Sequence, residues 1–145
     1  MLERTVGEII GKQTLVRLSS QDSVAEGAKA MTARHIGCVL VCDETDVCGI
    51  VTERDVLDQV VAAGRDPQTT RLGEIMTAEL RSITPDNTAM EALRTMGEVG
   101  VRHLPVVAGG GIAGIISVHD LLRSVVEDMV RDREFLLDMW EGIPA

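Results

Sequence analysis

The sequence predicts a mixed α+β fold built twice over, each copy running β-α-β-β-α. Three observations carry this. The block Gly49-Ile50-Val51-Thr52-Glu53-Arg54-Asp55 returns 65 residues later as Gly114-Ile115-Ile116-Ser117-Val118-His119-Asp120. Each block is preceded by a helix-start signal and two short apolar runs. Aromatic residues make up 1% of the chain, confined to Phe135 and Trp140, so the core is aliphatic.

The 65-residue offset also pairs Glu26 with Glu91, Met31 with Met96, Val41 with Val106 and Leu57 with Leu122. Gly7-Glu8-Ile9 matches Gly73-Glu74-Ile75 at 66, which places one inserted residue between the two stretches. Each copy opens on a short helix. Thr5 and Glu8 have capping-box spacing before Ile10, and Leu72 to Met76 is the second version. Extended stretches follow around 15–18 and 80–83. Ser23 with Glu26, and Thr88 with Glu91, then cap longer helices whose inner faces carry Val24, Ala28 and Met31, and Ala89, Leu93 and Met96. Apolar runs at 38–42 and 47–51, and again at 103–107 and 112–116, read as paired strands. Turn-forming Asp43-Glu44-Thr45-Asp46 and Ala108-Gly109-Gly110-Gly111 connect them.

A second helix begins at Thr52, or at Ser117 in the second copy. The first ends near Ala63-Gly64; the second runs on to about Trp140. The boundaries are therefore residues 1–62 for the first copy, 63–71 for a linker, 72–126 for the second copy and 127–145 for a helical extension. Each sheet is too apolar to face water alone. The expected solution packs the two sheets about a pseudo-two-fold axis and buries Cys38, Val41, Ile50, Val106 and Ile115.

Composition narrows function. At 145 residues, 45% hydrophobic and 26% charged, the chain has the make-up of an ordinary globular protein. A net charge of −9 argues against a broad nucleic-acid surface, which needs clustered cations, but leaves room for a small anion. The first ten residues lack the apolar run of a signal peptide, and no stretch approaches a membrane span, so a cytoplasmic location is expected. Cys38, Cys42 and Cys48 are odd in number and form no C-x-x-C pair, so no zinc site or disulfide framework is expected; Cys38 and Cys42, within the apolar run 38–42, are expected as small buried thiols in a strand. Gly109-Gly110-Gly111 lacks the companions of a phosphate loop. No catalytic constellation stands out, and an enzyme is not expected.

At this point the sequence closely resembles the cystathionine-β-synthase-type (CBS) domain family. The resemblance covers Thr5 to Val126 and rests on the doubled G-h-h-[ST]-x-x-D and on Arg102-His103-Leu104-Pro105-Val106-Val107 after its helix. It implies a stand-alone CBS pair, or Bateman module, with clefts that take AMP, ADP, ATP or S-adenosylmethionine. It further implies regulation of an effector protein in trans and pairing into a homodimer. No cofactor is obligatory; the adenine nucleotide is the regulatory ligand.

The repeated motif has its own chemistry. Thr52 with Asp55, and Ser117 with Asp120, have the spacing of plain helix caps. The same arrangement offers a phosphate free N–H groups, a positive dipole and a hydroxyl, while the Asp carboxylate can accept from ribose hydroxyls. Carried over by position from the family, Arg102 and His103 match a basic pair directed at phosphate. Their first-copy counterparts are Gly37 and Cys38, a departure that makes the two sites unequal. Arg54 and His119, just before the two aspartates, are further candidates. The tail bears Leu122, Val126, Met129, Leu136, Met139 and Trp140 at roughly helical spacing, a face suited to a second subunit. The competing reading is a structural adaptor with degenerate, empty clefts.

Overall fold

The structure is a computed structural model that describes residues 4–44 and 46–141. Thr45, within the first hairpin turn, and the side chains of Leu136, Met139 and Trp140 lie outside the described residues. The elements in order are α1 (Val6–Ile10), β1 (Arg17–Ser19), α2 (Val24–Arg34), β2 (Cys38–Asp43), β3 (Asp46–Thr52), α3 (Glu53–Val56), a π-helical turn (Leu57–Val61), α4 (Leu72–Ile75), α5 (Ala89–Val99), β4 (His103–Ala108), β5 (Gly111–Ser117) and α6 (Val118–Glu141). Among the described residues, no helix is long and apolar enough to cross a membrane.

The compact units do not coincide with the repeats. One unit is Thr14–Leu80, here the middle unit; the other joins Met1–Gln13 to Arg81–Ala145, the terminal unit. The leading helix of each repeat thus belongs with the body of the other. In the terminal unit Val6 is fully buried beside Leu104, Val106 and Ile116. In the middle unit Leu72 and Ile75 enter a core with Val24, Val39, Val41 and Val51.

The same hydrogen bonds secure both. The first amides of α1, at Val6 and Gly7, donate to the Asn87 and Pro85 carbonyls at 2.8 and 2.9 Å. Those of α4, at Leu72 and Gly73, donate to the Asp22 and Ser20 carbonyls, each at 2.9 Å. In return Ala89 N–H donates to the Arg4 carbonyl and Val24 N–H to the Thr70 carbonyl, so each helix start is satisfied by the segment leading into the other.

In the middle unit β1 pairs in parallel with β2, and β2 antiparallel with β3. Among the described residues of the terminal unit, only β4 and β5 form a ladder. The strand expected at 80–83 is reduced to one parallel bridge, Ile83 to Val106. The reason lies in two prolines. In the middle unit Leu40 N–H donates to the Val16 carbonyl at 3.0 Å and Ser20 N–H to the Cys42 carbonyl at 3.3 Å. The residues equivalent to Leu40 and Ser20 are Pro105 and Pro85, which have no N–H, so the matching bonds on either side of the Ile83–Val106 bridge cannot form.

The expected helix starts hold. Thr5 and Glu8 form a reciprocal capping box, as do Thr88 and Glu91, and Ser23 accepts from Glu26 N–H. Cys38, Val41, Ile50 and Val106 are buried as expected. Ile115 is only half-buried, and Ile116 beside it takes the fully buried place, because inward and outward positions alternate along β5. The helix after Thr52 is not uniformly α-helical: Ala62 N–H reaches back five residues to the Leu57 carbonyl at 2.9 Å. This widened turn buries Val60 and leaves Leu57 and Val61 exposed.

Candidate functional site

Each unit carries one strand-to-helix junction. In the terminal unit β5 ends at Ser117, which faces His103 across the ladder. Val118 N–H, at the start of α6, donates to the Arg102 carbonyl at 2.8 Å. The register therefore brings Arg102, His103, Ser117 and Asp120 to one end of the β4–β5 hairpin. Ser117 N–H donates to Asp120 Oδ2 at 2.9 Å, and Asp120 N–H donates to Ser117 Oγ at 3.1 Å. Arg102 and His119 are exposed; His103 is half-buried.

The middle unit repeats the geometry with different chemistry. Thr52 faces Cys38, and Glu53 N–H donates to the Gly37 carbonyl at 2.9 Å. Thr52 N–H donates to Asp55 Oδ2 at 2.9 Å, and Asp55 N–H to Thr52 Oγ1 at 3.2 Å. Where Arg102 and His103 stand in one unit, Gly37 and Cys38 stand in the other. Arg54, the remaining candidate cation, is paired along its own helix with Asp58 at 3.1 Å.

Both aspartates thus cap their helices with a single oxygen. Each hydroxyl accepts from the Asp N–H, and its own proton remains a donor. The capping and the ligand-binding chemistries are compatible. They differ at the second carboxylate oxygen. Asp55 Oδ1 lies 3.5 Å from Gln59 Nε2, which also donates to the Ile75 carbonyl at 3.1 Å. The residue in the place of Gln59 is Ser124, which accepts from Arg4 Nη1 at 3.1 Å and makes no such contact with Asp120.

Two residues near these junctions do not stand out in the sequence. Gln59 has a legible signal, its i,i+4 spacing from Asp55. Gln13 has none. Its side-chain amide donates to the Ile115 carbonyl at 3.0 Å and accepts from Ile115 N–H at 2.9 Å.

None of the three cysteines is in a disulfide; Cys38 is buried as expected, whereas Cys42, next to the last residue of β2, is only half-buried, as is Cys48. Ser20 hydrogen-bonds the Asp43 carboxylate and holds it below its ordinary range, and the hydrogen bond from Cys48 acts in the same direction. The Cys48 thiol is in turn pushed up by Asp43, which opposes thiolate formation. Among the described residues no group of three or more His, Cys, Asp or Glu could hold a metal ion.

Comparison with known proteins agrees with this architecture. The sequence profile of the CBS domain matches residues 6–62 and again 72–127. The chain is 33% identical over 115 residues to the mitochondrial CBS domain-containing protein CBSX3 of Arabidopsis thaliana, covering 76% of this chain and 56% of that one. It is 31% identical to CBSCBSPB2 of the same plant, covering 91% of this chain and 25% of that one. The chain therefore spans about half or less of the length of these relatives. Among solved structures, a protein with CBS domains from Burkholderia ambifaria superimposes with a TM-score of 0.81 at 39% identity, covering 86% of this chain and 95% of that one. A hexameric CBS-CP12 protein from bloom-forming cyanobacteria gives 0.74 at 33%, covering 81% and 69%. With two profile matches and a doubled strand-to-helix junction in one polypeptide, this chain belongs to the CBS domain family, as a tandem pair of CBS domains.

Proposed function

We propose that this CBS pair is a non-catalytic sensor of an adenine nucleotide (AMP, ADP or ATP) that reports to a partner protein. The observation that carries the reading is the Ser117–Asp120 junction with Arg102 and His103 at the same end of the hairpin. It places a hydroxyl donor, a carboxylate acceptor, two basic side chains and the amino end of α6 in one neighbourhood. Asp120 takes the ribose hydroxyls; Ser117 and Arg102 take phosphate, with the His103 and His119 imidazoles as supporting hydrogen-bond donors. Thr52, Arg54 and Asp55 form a poorer second site, because Gly37 and Cys38 supply no cation and Arg54 is held by Asp58.

The adaptor reading draws on one fact: both aspartates already serve as helix caps, so their presence does not require a ligand. Calorimetric titration with AMP, ADP, ATP, S-adenosylmethionine and NAD separates the two. Saturable binding of an adenine nucleotide supports the sensor; no binding at millimolar concentration supports the adaptor. Saturation by S-adenosylmethionine alone would redirect the reading to that ligand.

The signal needs an assembly to act on. Leu57 and Leu122 are 51% and 53% exposed, and Val61 and Val126 are 66% and 57% exposed, so the same apolar pair stands open in both repeats. Met129 and Val130 continue the face along α6. We assign it to a homodimer contact, a reading supported by the apolar exposure and by the hexameric state of a CBS relative.

A further inference from the structure

We propose that Cys42 and Cys48 form an oxidant-responsive disulfide site at the bulge of the β2–β3 hairpin, closed by a hydroperoxide and opened by a thiol reductant. The site lies wholly within the middle unit and is independent of the nucleotide reading.

Alternation along the hairpin divides its side chains between two faces. Val39, Val41 and Val51 enter the aliphatic core of the unit, so Cys38, Leu40 and Ile50 take the opposite face. Leu40 is paired with Ile50, and two residues nearer the turn on each strand stand Cys42 and Cys48. The register slips between them. Val41 pairs with Gly49 but Cys42 with Val47, so Val47 and Cys48 together oppose Cys42, and Cys48 is the extra residue of a bulge. Residues opposed across an antiparallel pair have Cα atoms about 4.5–5.5 Å apart, within the roughly 4.4–6.8 Å that a disulfide spans. Cys38 shares the face but stands four residues, or about 13 Å, further along β2, out of reach of either.

The surrounding groups assign each thiol a role. Ser20, a buried residue, donates through Oγ to Asp43 Oδ1 and holds the carboxylate in place. The Cys48 thiol donates to that carboxylate, which pushes its pKa up; Cys42 adds a smaller push, so the two sulfurs lie within electrostatic reach. Cys48 is thereby kept protonated, which leaves Cys42 to react first. The Cys42 sulfur attacks the hydroperoxide: an S–O bond forms, the O–O bond breaks, and an alcohol or water leaves with the thiol proton. The Cys48 sulfur then attacks the Cys42 sulfenic acid, forming S–S and breaking S–O. Its proton passes to Asp43 and on to the departing hydroxide, which leaves as water. Two thiols give up two electrons, and the peroxide takes them.

The other unit supplies an internal control. It keeps the bulge: Val106 pairs with Gly114 and Val107 with Ile112, which leaves Ala113 as the extra residue. Pro85, Val107, Ala108 and Ala113 stand where Ser20, Cys42, Asp43 and Cys48 stand in the middle unit. The hairpin therefore needs the bulge but not the thiols, and the four groups of the site occur together in one unit only.

The test uses the full chain, reduced with dithiothreitol, desalted and treated with hydrogen peroxide. Intact mass spectrometry is expected to show the loss of two hydrogens, and thiol titration the loss of two of the three thiols. Peptide mapping without reductant should join Cys42 to Cys48 and leave Cys38 as a thiol, and dithiothreitol should restore all three. Cys48→Ser removes the resolving thiol, so Cys42 should gain one oxygen that dimedone captures, and Cys42→Ser should form no internal link. The proposal is overturned if wild type keeps all three thiols or gains oxygens without losing hydrogens. A link through Cys38 or between chains overturns it equally. The wild-type mass and map decide the matter even if a serine variant fails to fold.

Discussion

Thr77 and Ile50 exchange both main-chain hydrogen bonds, at 3.1 and 2.9 Å, and this contact fixes the chain after α4 along the edge of β3. Gly49 permits the approach, since any Cβ there would meet the Thr77 carbonyl oxygen. Gly49→Ala is expected to destabilise the protein by about 1–3 kcal/mol, because the obstructing atom is backbone and cannot swing aside. Urea denaturation measures it; an unchanged midpoint would show that the segment yields.

His35 and Gly100 occupy equivalent positions after α2 and α5, and both are left-handed, with φ of 52° and 78°. Only one of them is glycine. His35→Gly is expected to stabilise the chain by up to about 1 kcal/mol by relieving the Cβ clash, and Gly100→Ala to cost about as much. Opposite shifts in thermal midpoint check the pair.

Glu91 accepts from Asn87 Nδ2 at 2.9 Å and from Thr88 N–H at 3.0 Å, and these bonds hold its carboxyl below its ordinary value of 4.5. A depressed folded value means stability that is fully present above 4.5 and lost as pH falls through the folded pKa. Thermal midpoints of wild type and Glu91→Gln should therefore converge on acidification below about pH 4.5. A constant gap from neutral to acid pH would remove Glu91 from the account.

Asp120→Ala is expected to weaken adenine-nucleotide binding by about 10- to 150-fold, the worth of a charge-assisted hydrogen bond. Asp55→Ala should do less, since its site lacks the cations of the other. Arg102→Ala should harm ATP or ADP more than adenosine, because only a phosphate contact goes. Calorimetry on the three variants reads all of this, and an unchanged affinity in Asp120→Ala would move the site elsewhere.

The homodimer assignment predicts that Met129→Glu with Val130→Glu yields a monomer by light scattering while wild type is dimeric. Both positions are exposed, so the fold should survive the charges. A version ending near Val126 should likewise lose the contact. Wild type running as a monomer would defeat the assignment.

Much of the candidate site is legible in the amino-acid sequence. Ser117 and Asp120 follow from a repeat whose hydroxyl and carboxylate keep cap spacing, and reciprocal caps are what the structure shows. Local rules reach that far because a cap involves four consecutive residues. Gln13 is illegible for the opposite reason. Its partner Ile115 is 102 residues away, and no pattern in the residues around Gln13 points to a carboxamide clamp. Ile115 and Ile116 cannot be ranked either, since a continuous apolar run does not say which member faces the core.

The amino-acid sequence by itself determined the duplication, the helix starts and the two unequal junctions, because each depends on short-range spacing and on residue chemistry. Only the tertiary structure decided which leading helix packs on which repeat. Val6 and Leu72 are equivalent residues, and so are the turn carbonyls of Asn87 and Asp22 that hold their amides. Either helix could satisfy either turn, so local chemistry is indifferent between pairing within a repeat and pairing across. The choice rests on where the connecting chain can carry each helix, a long-range property that no local pattern of residues encodes.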